Sequence, residues 1–251
     1  MNRLKDKVAL VTGASKGIGA SIAIHFAQEG AKVVVNYASS KEGADTVVRA
    51  ITDFGGTAVA VQGDVSKEPD VILLLEETKK TFGGLDILVN NAGIYNYEPI
   101  EKVSVETIQQ QFNINVLGSL LSIREAVKLF GDKAGNIINI SSVAADLPLP
   151  TGSVYSATKA ALDAITVALS KEFSGKNIRI NSILPGVVET EGSHSAGFIG
   201  SEAEKSLVAQ TPLGRTGQPT DIAKVAVFIA SDESAWINGE KISVSGGIYG
   251  L

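Results

Sequence analysis

The chain has 251 residues, 44% of them hydrophobic and 20% charged, and carries a formal net charge of −5. That balance creates no overall field to draw it to nucleic acid or to an anionic membrane. Zero cysteines exclude disulfides, thiolate metal sites and a cysteine nucleophile, and two histidines put a histidine-rich metal site out of reach, so a catalyst must come from Ser, Tyr, Lys, Asn or carboxylates.

The first apolar run, Val8 to Val11, is too short for a signal-peptide core and leads at once into glycines. No run approaches the ~18 apolar residues of a membrane helix, so a soluble cytoplasmic chain without a membrane partner is expected. Similar short runs follow in order: KVVVN (32–36), TAVAV (57–61), DILVN (86–90), NIINIS (136–141), IRINSIL (178–184) and KISVSG (241–246). Most are continuous rather than alternating, which is how strands covered on both faces of a parallel sheet read. Helical spacing lies between them, as in Ile18, Ile22 and Phe26, in Leu162, Ile165 and Leu169, and in Ile222, Val225 and Ile229. Strand and helix alternate with no linker or shift in composition. The pattern predicts one α/β domain over 1–251, a doubly wound parallel sheet of about seven strands with helices on both faces.

After the first run comes Thr12-Gly13-Ala14-Ser15-Lys16-Gly17-Ile18-Gly19 and then a helix. A strand feeding a glycine turn and a helix N-terminus brings backbone N–H groups close to a pyrophosphate. The spacing is not the usual G-x-G-x-x-G, and a tight strand-to-helix turn is the plainer explanation of a glycine loop. An NAD site places an acid about 20 residues further on, where the second strand ends. Here that strand ends at Asn36, followed by Tyr37, Ala38, Ser39, Ser40 and Lys41. With no acid, and with hydroxyls and the Lys16 and Lys41 cations nearby, the position suits a 2′-phosphate, hence NADP(H) over NAD(H). Plain helix capping also accounts for Ser39 and Ser40.

Further along, Asn90-Asn91-Ala92-Gly93 ends the fourth run, and Asn115 lies inside the long helical segment behind it. Ser141 and Ser142 end the fifth. Tyr155 and Lys159 lie one turn apart at the start of a helix. The stretch 187–216 is the least regular of the chain and leaves the sheet at its carboxyl edge, as a lid or binding loop would.

Taken in order, TGASKGIG (12–19), Asp64-Val65, NNAG (90–93), Asn115, ISS (140–142), YSATK (155–159) and Pro185-Gly186 resemble the short-chain dehydrogenase/reductase family over essentially the whole chain. The nearest sub-groups are the 3-oxoacyl-carrier-protein reductases, bacterial glucose dehydrogenases and NADPH-dependent carbonyl reductases. The resemblance implies a Rossmann-type sheet and a hydride transfer between NADP(H) and a ketone or secondary alcohol. In it Tyr155 exchanges the proton on the substrate oxygen and Ser142 orients that oxygen, while Ser141 is a strand-end residue near the cofactor. Lys159 bonds the nicotinamide ribose and favours the phenolate. A unit charge at ~4 Å and an effective dielectric of ~20 is worth ~4 kcal/mol, enough to bring a phenol from ~10 to near neutrality. Asn115 would hold a water linking Lys159 to solvent, or would be a helix-interior Asn bonded to backbone.

The resemblance also implies cofactor contacts at Gly13, Ser15, Lys16, Gly17, Ile18 and Gly19, and at Asn36, Tyr37, Ala38, Ser39 and Ser40. Asp64 and Val65 would border the adenine, and Asn91, Ala92 and Gly93 would bring backbone close. Pro185, Gly186, Val188 and Thr190 would lie near the nicotinamide, beside Tyr155 and Lys159. The substrate would meet Tyr95, Val143, Leu147, Pro148, Phe198 and Leu207, a mostly apolar set that argues for a bulky or aromatic ketone. His25 reads as a structural or surface residue and His194 as a solvated loop side chain, and no catalytic metal is expected. A small-molecule substrate and a homotetramer are the expected partners. A sugar or polyol dehydrogenase is the alternative enzyme, and a non-catalytic NADP-binding sensor the remote one.

Overall fold

Strands that are apolar on both faces must be covered on both sides, and the alternation of side chains shows how this is done. The computed structural model describes residues 2–248. Its strands are β1 (Val8–Val11), β2 (Lys32–Tyr37), β3 (Thr57–Gln62), β4 (Ile87–Asn90), β5 (Gly135–Ile140), β6 (Ile178–Pro185) and β7 (Lys241–Val244). The helices are α1 (Gly17–Gln28), α2 (Lys41–Asp53), α3 (Glu68–Phe82), α4 (Val105–Phe112), α5 (Gly118–Phe130), α6 (Ser153–Glu172), α7 (Glu191–Ser195), α8 (Glu202–Gln210) and α9 (Pro219–Ala230). The strands form one seven-stranded sheet in the order β3-β2-β1-β4-β5-β6-β7, parallel throughout.

Along β1, Ala9 and Val11 belong to one buried cluster and Val8 and Leu10 to the other; Val33 and Val35 oppose Val34 in β2 in the same way. Helices α1, α2 and α9 cover the first face through Ile22, Phe26, Val47, Ile51, Ile222 and Ile229. Helices α3, α5 and α6 cover the second through Leu74, Leu75, Leu121, Phe130, Ile165 and Leu169. A period of two with both faces apolar is therefore what made the runs look continuous. Helix stops are local. Gly83 ends α3 at φ 84°, a backbone angle only glycine adopts without strain, and Pro69 sits in that helix's first turn.

The order reverses between β1 and β4, which pair directly while their next strands lie on opposite sides. The turns after these two strands therefore face each other across a crevice at the carboxyl edge, the position at which doubly wound sheets bind ligands. The segment 187–216, expected to be irregular, instead carries α7 and α8. Its ends are tied by a parallel bridge between Val188 and Gly217, and Thr190 and Ser201 cap the two helices through their hydroxyls. Caps and an end-to-end tie, rather than apolar periodicity, order this segment. Among the described residues no helix is long and apolar enough to cross a membrane.

Phe26 is fully buried on α1, so Phe26→Ala is expected to lower the unfolding free energy by about 3–5 kcal/mol in urea titration. Leu73→Ala on α3, where the side chain is 58% exposed, is expected to change it by less than about 0.5 kcal/mol.

Candidate active site

The crevice is built by backbone contact. Gly13 has φ 60°, and a Cβ placed on it would lie 2.8 Å from the Ala92 Cα. A Cβ on Gly19 would lie 2.3 Å from Asn91 Nδ2 and 2.8 Å from the Gly13 carbonyl oxygen. Thr12, Asn91 and Ala92 lash the two turns together. The N–H groups of Asn91 and Ala92 both donate to the Thr12 hydroxyl at 3.0 Å, and the Asn91 side-chain amide donates to the carbonyls of Thr12 and Gly13 at 2.9 and 3.1 Å. Helix α1 then begins behind an extended Lys16 with no side-chain cap, leaving its first N–H groups for a ligand. One of them, on Gly17, donates to the Glu191 carboxylate at 3.0 Å, so an acid from α7 sits on the anion-seeking end of α1.

The residues after β2 divide into two kinds. Asn36 is buried; its side-chain oxygen accepts from the Gly13 N–H at 3.1 Å, and its amide nitrogen donates to the carbonyls of Val61 and Gly63. It shapes the glycine turn from behind, and the Tyr37 ring is buried in the core beside it. Ala38, Ser39 and Ser40 are exposed. Ser40 occupies the cap position of α2, yet its hydroxyl makes no capping bond, so plain capping does not account for it. Gly43, which the sequence reading passed over, sets this region against the glycine loop: a Cβ there would lie 2.7 Å from the Ser15 carbonyl oxygen. Lys41 pairs with Asp45 at 2.6 Å, and Lys16 is exposed on the loop itself. Asp64 accepts from the N–H and hydroxyl of Ser66, and Val65 is buried against Gly118 of α5.

Across the crevice lies the start of α6. Ser142 ends the β5 strand turn, and its hydroxyl oxygen accepts from the Ala144 N–H at 3.1 Å. Tyr155 stands by Ser142, with the rings of Tyr95 and Tyr97 at centroid distances of 6.1 and 5.9 Å. Burial pushes the Tyr155 phenol well above its ordinary value, the neighbouring Tyr97 and Tyr95 add to this, and the Ser142 hydroxyl opposes it. Lys159 is 5% exposed and its ammonium donates to the Ile140 carbonyl at 2.8 Å, lying 5.7 Å from the Tyr155 ring centroid. Burial brings Lys159 down to about 8, against the opposing pull of Asp163. The sequence arithmetic, which let the ammonium draw Tyr155 toward neutrality, is therefore corrected. In the free protein burial dominates both groups and Lys159 is turned onto a backbone carbonyl.

Asn115 lies in a π-helical turn, Asn113–Leu117, between α4 and α5. Its side chain accepts from the Ile94 N–H and donates to the Ile94 carbonyl, both at 2.8 Å, and donates to the Thr158 hydroxyl at 3.0 Å. Side-chain bonding to backbone is thus realised, and it pins the NNAG turn to α6. An added Cβ on Gly93 would fall 3.3 Å from Asn115 and 3.5 Å from the Lys159 ammonium, so these groups converge.

On the lid side, Pro185 ends β6, and Gly186 passes close to Ser245. Val188 holds the bridge to Gly217, and Thr190 caps α7. Among the substrate candidates, Tyr95 reaches Tyr155 and its hydroxyl lies 3.3 Å from a Cβ position on Gly192 of α7. Val143 follows Ser142 in a half-buried turn and Leu147 and Pro148 are exposed just beyond it. Phe198 and Leu207 are half-buried on the lid, in the connection before α8 and on α8 itself. His25 bonds the Ser21 carbonyl on α1, and His194 pairs with Glu189 at 2.9 Å on the surface. Tyr97, two residues beyond Tyr95 on the same strand-end turn, was the missed aromatic, and its spacing from Tyr95 was the available signal.

A family model described as Enoyl-(Acyl carrier protein) reductase matches residues 13–249. An uncharacterized oxidoreductase of Methylorubrum extorquens is 55% identical over 99% of this chain and 100% of its own length. A 3beta-hydroxysteroid dehydrogenase of Eggerthella lenta is 40% identical over 98% of this chain and 94% of its own. The structure of a short chain dehydrogenase from Burkholderia cenocepacia in complex with NADP superposes with a TM-score of 0.91 at 32% identity, over 98% of this chain and 99% of that one. The chain belongs to the short-chain dehydrogenase/reductase family and is an oxidoreductase of that family, acting between CH–OH and C=O.

Asn115→Ala would leave the N–H and carbonyl of Ile94 unpaired in a partly buried turn. It is expected to lower the unfolding free energy by about 2–4 kcal/mol, read by urea titration of the isolated protein.

Proposed function

We propose that the protein is an NADP(H)-dependent reductase of ketones, of the carbonyl or 3-oxoacyl reductase kind, reversible to the secondary alcohol. The observation that carries the reading is the convergence of Ser142, Tyr155 and Lys159 with the Gly13–Gly19 turn on one crevice. Glycines with no room for a Cβ, and a helix start that its own cap residue Lys16 leaves uncapped, fit a dinucleotide pyrophosphate. When bound, the nicotinamide group supplies the hydride to the carbonyl carbon or takes it back.

The chain's own residues do the rest. Gly13, Ser15, Gly17, Ile18 and Gly19 would hold the pyrophosphate end, and Asn91, Ala92 and Gly93 would give it backbone. Pro185, Gly186, Val188 and Thr190 would flank the nicotinamide, and Asp64 and Val65 the adenine. Lys16, Ser39 and Ser40 would hold the 2′-phosphate, supported by the absence of an acid at the end of β2 and the unspent Ser40 hydroxyl. Ser142 holds the substrate oxygen and Tyr155 gives it a proton as the C–H bond forms. A phenol that stays protonated through neutral pH is suited to this direction. Lys159 stabilises the phenolate left behind through its positive charge. Tyr95 and Tyr97, exposed beside Tyr155, favour an apolar ketone over a sugar.

The test is consumption of NADPH and NADH by purified protein across acetoacetyl thioester, aryl ketones and α-keto esters, with glucose and simple alcohols in reverse. NADPH-driven ketone reduction is expected, with kcat in Tyr155→Phe falling at least about 100-fold. Equal rates in the two proteins would sink the mechanism, and glucose oxidation alone would make it a sugar dehydrogenase.

Assembly into a homotetramer is part of the same reading. It is supported by exposed apolar side chains on α4, the π turn and α5, Val105, Ile108, Leu117 and Leu120, and by exposed Val167 on α6. Sedimentation equilibrium is expected to give four chains per particle; a monomer at micromolar concentration would overturn it.

A further inference from the structure

Helix α6 carries one more buried ionisable group than this chemistry uses. Asp163 follows Lys159 by four residues, so it occupies the next turn of the same face, and it is 4% exposed. Both carboxylate oxygens are closed off from solvent and lack a well-formed hydrogen bond, with the Ser141 and Ser182 hydroxyls beside them. The adjacent hydroxyls are engaged elsewhere: Ser141 donates to the Lys159 carbonyl at 3.3 Å, and Ser182 pairs with Thr166 at 2.8 Å. A carboxyl buried in this way costs stability that an aliphatic side chain of similar size would not. The charge that could offset the cost is the ammonium of Lys159, which is itself buried and donates to the Ile140 carbonyl.

We propose that Asp163 is a positioning residue, whose buried carboxylate supplies the negative potential that keeps the Lys159 ammonium charged and seated on Ile140. The inference rests on the reading of Lys159 as part of the working site. The electrostatics run in the same direction. Burial lowers Lys159, and the Asp163 charge is the influence that opposes it. Burial raises Asp163; the neighbouring hydroxyls of Ser141, just after β5, and Ser182 on β6, and the Lys241 charge on β7, pull it down, while Asp146 pushes it up. Tyr155, on α6, is the remaining titratable group beside Lys159.

The measurement is an NMR titration of protein labelled at the lysine ε-carbons, with the Lys159 signal assigned by its loss in Lys159→Arg. In Asp163→Asn the Lys159 midpoint is expected to move down by about one pH unit, and Asp163→Glu is expected to keep most of the wild-type value. A midpoint unmoved in folded Asp163→Asn overturns the proposal. Should that variant not fold, the wild-type curve decides: a second, acid-side inflection in the Lys159 signal as Asp163 protonates supports it, and a single step overturns it. The alkaline limb of kcat/KM for ketone reduction is expected to move by the same amount with KM held, which a purely structural residue would not produce. Absence of any nicotinamide-dependent turnover would overturn the functional reading instead, and the Lys159 titration would still decide the role of Asp163.

Discussion

Two strand-end turns must meet through backbone alone, and the rest of the site depends on that contact. Gly13 and Gly19 approach Ala92 and Asn91 more closely than any side chain would allow. The approach draws the β1 and β4 turns into one crevice at the point where strand order reverses. Thr12, Asn36 and Asn91 then spend their polar groups on fixing the turns. They are scaffolding bonded to the glycine loop, which explains why so many polar residues of the motifs face inward.

The second organising feature is desolvation. Tyr155, Lys159 and Asp163 stand on successive turns of α6, and burial shifts each of them toward its neutral form. A phenol held protonated and an ammonium held near its titration point are a responsive pair, because each charge added to or removed from the crevice changes both. Simple distance arithmetic on Tyr155 and Lys159 omitted this cost. In the structure the ammonium spends its bond on Ile140, and burial is the largest influence on the phenol.

The opposite side of the crevice is closed by a segment that owes its order to caps. Thr190 and Ser193 satisfy each other at the start of α7, and the Val188–Gly217 bridge returns the chain to α9. Glu191, the first residue of α7, rests on the Gly17 N–H, where a cofactor phosphate is expected. The segment thus touches the glycine turn through Glu191 and lies close to Tyr95 through Gly192.

Much of this was legible in the residues themselves. Apolar runs that repeat with helical segments between them admit little besides a doubly wound parallel sheet, because each run needs cover on both faces. Glycine spacing, NNAG, the Ser141-Ser142 pair and the Tyr155–Lys159 turn mark the carboxyl edge, since each follows a strand. What the sequence could not determine is which polar groups remain free once the chain has closed. Asn36 and Ser40 are both polar and lie near the end of β2, yet one is consumed by Gly13, Val61 and Gly63 and the other is exposed and uncapped. Gly43 and Glu191 acquire their positions from contacts across 28 residues of chain, with Ser15, and 174, with Gly17. Local pattern records the period of a strand or helix; partner, burial and charge are set only when distant segments pack, so those were decided by the tertiary structure.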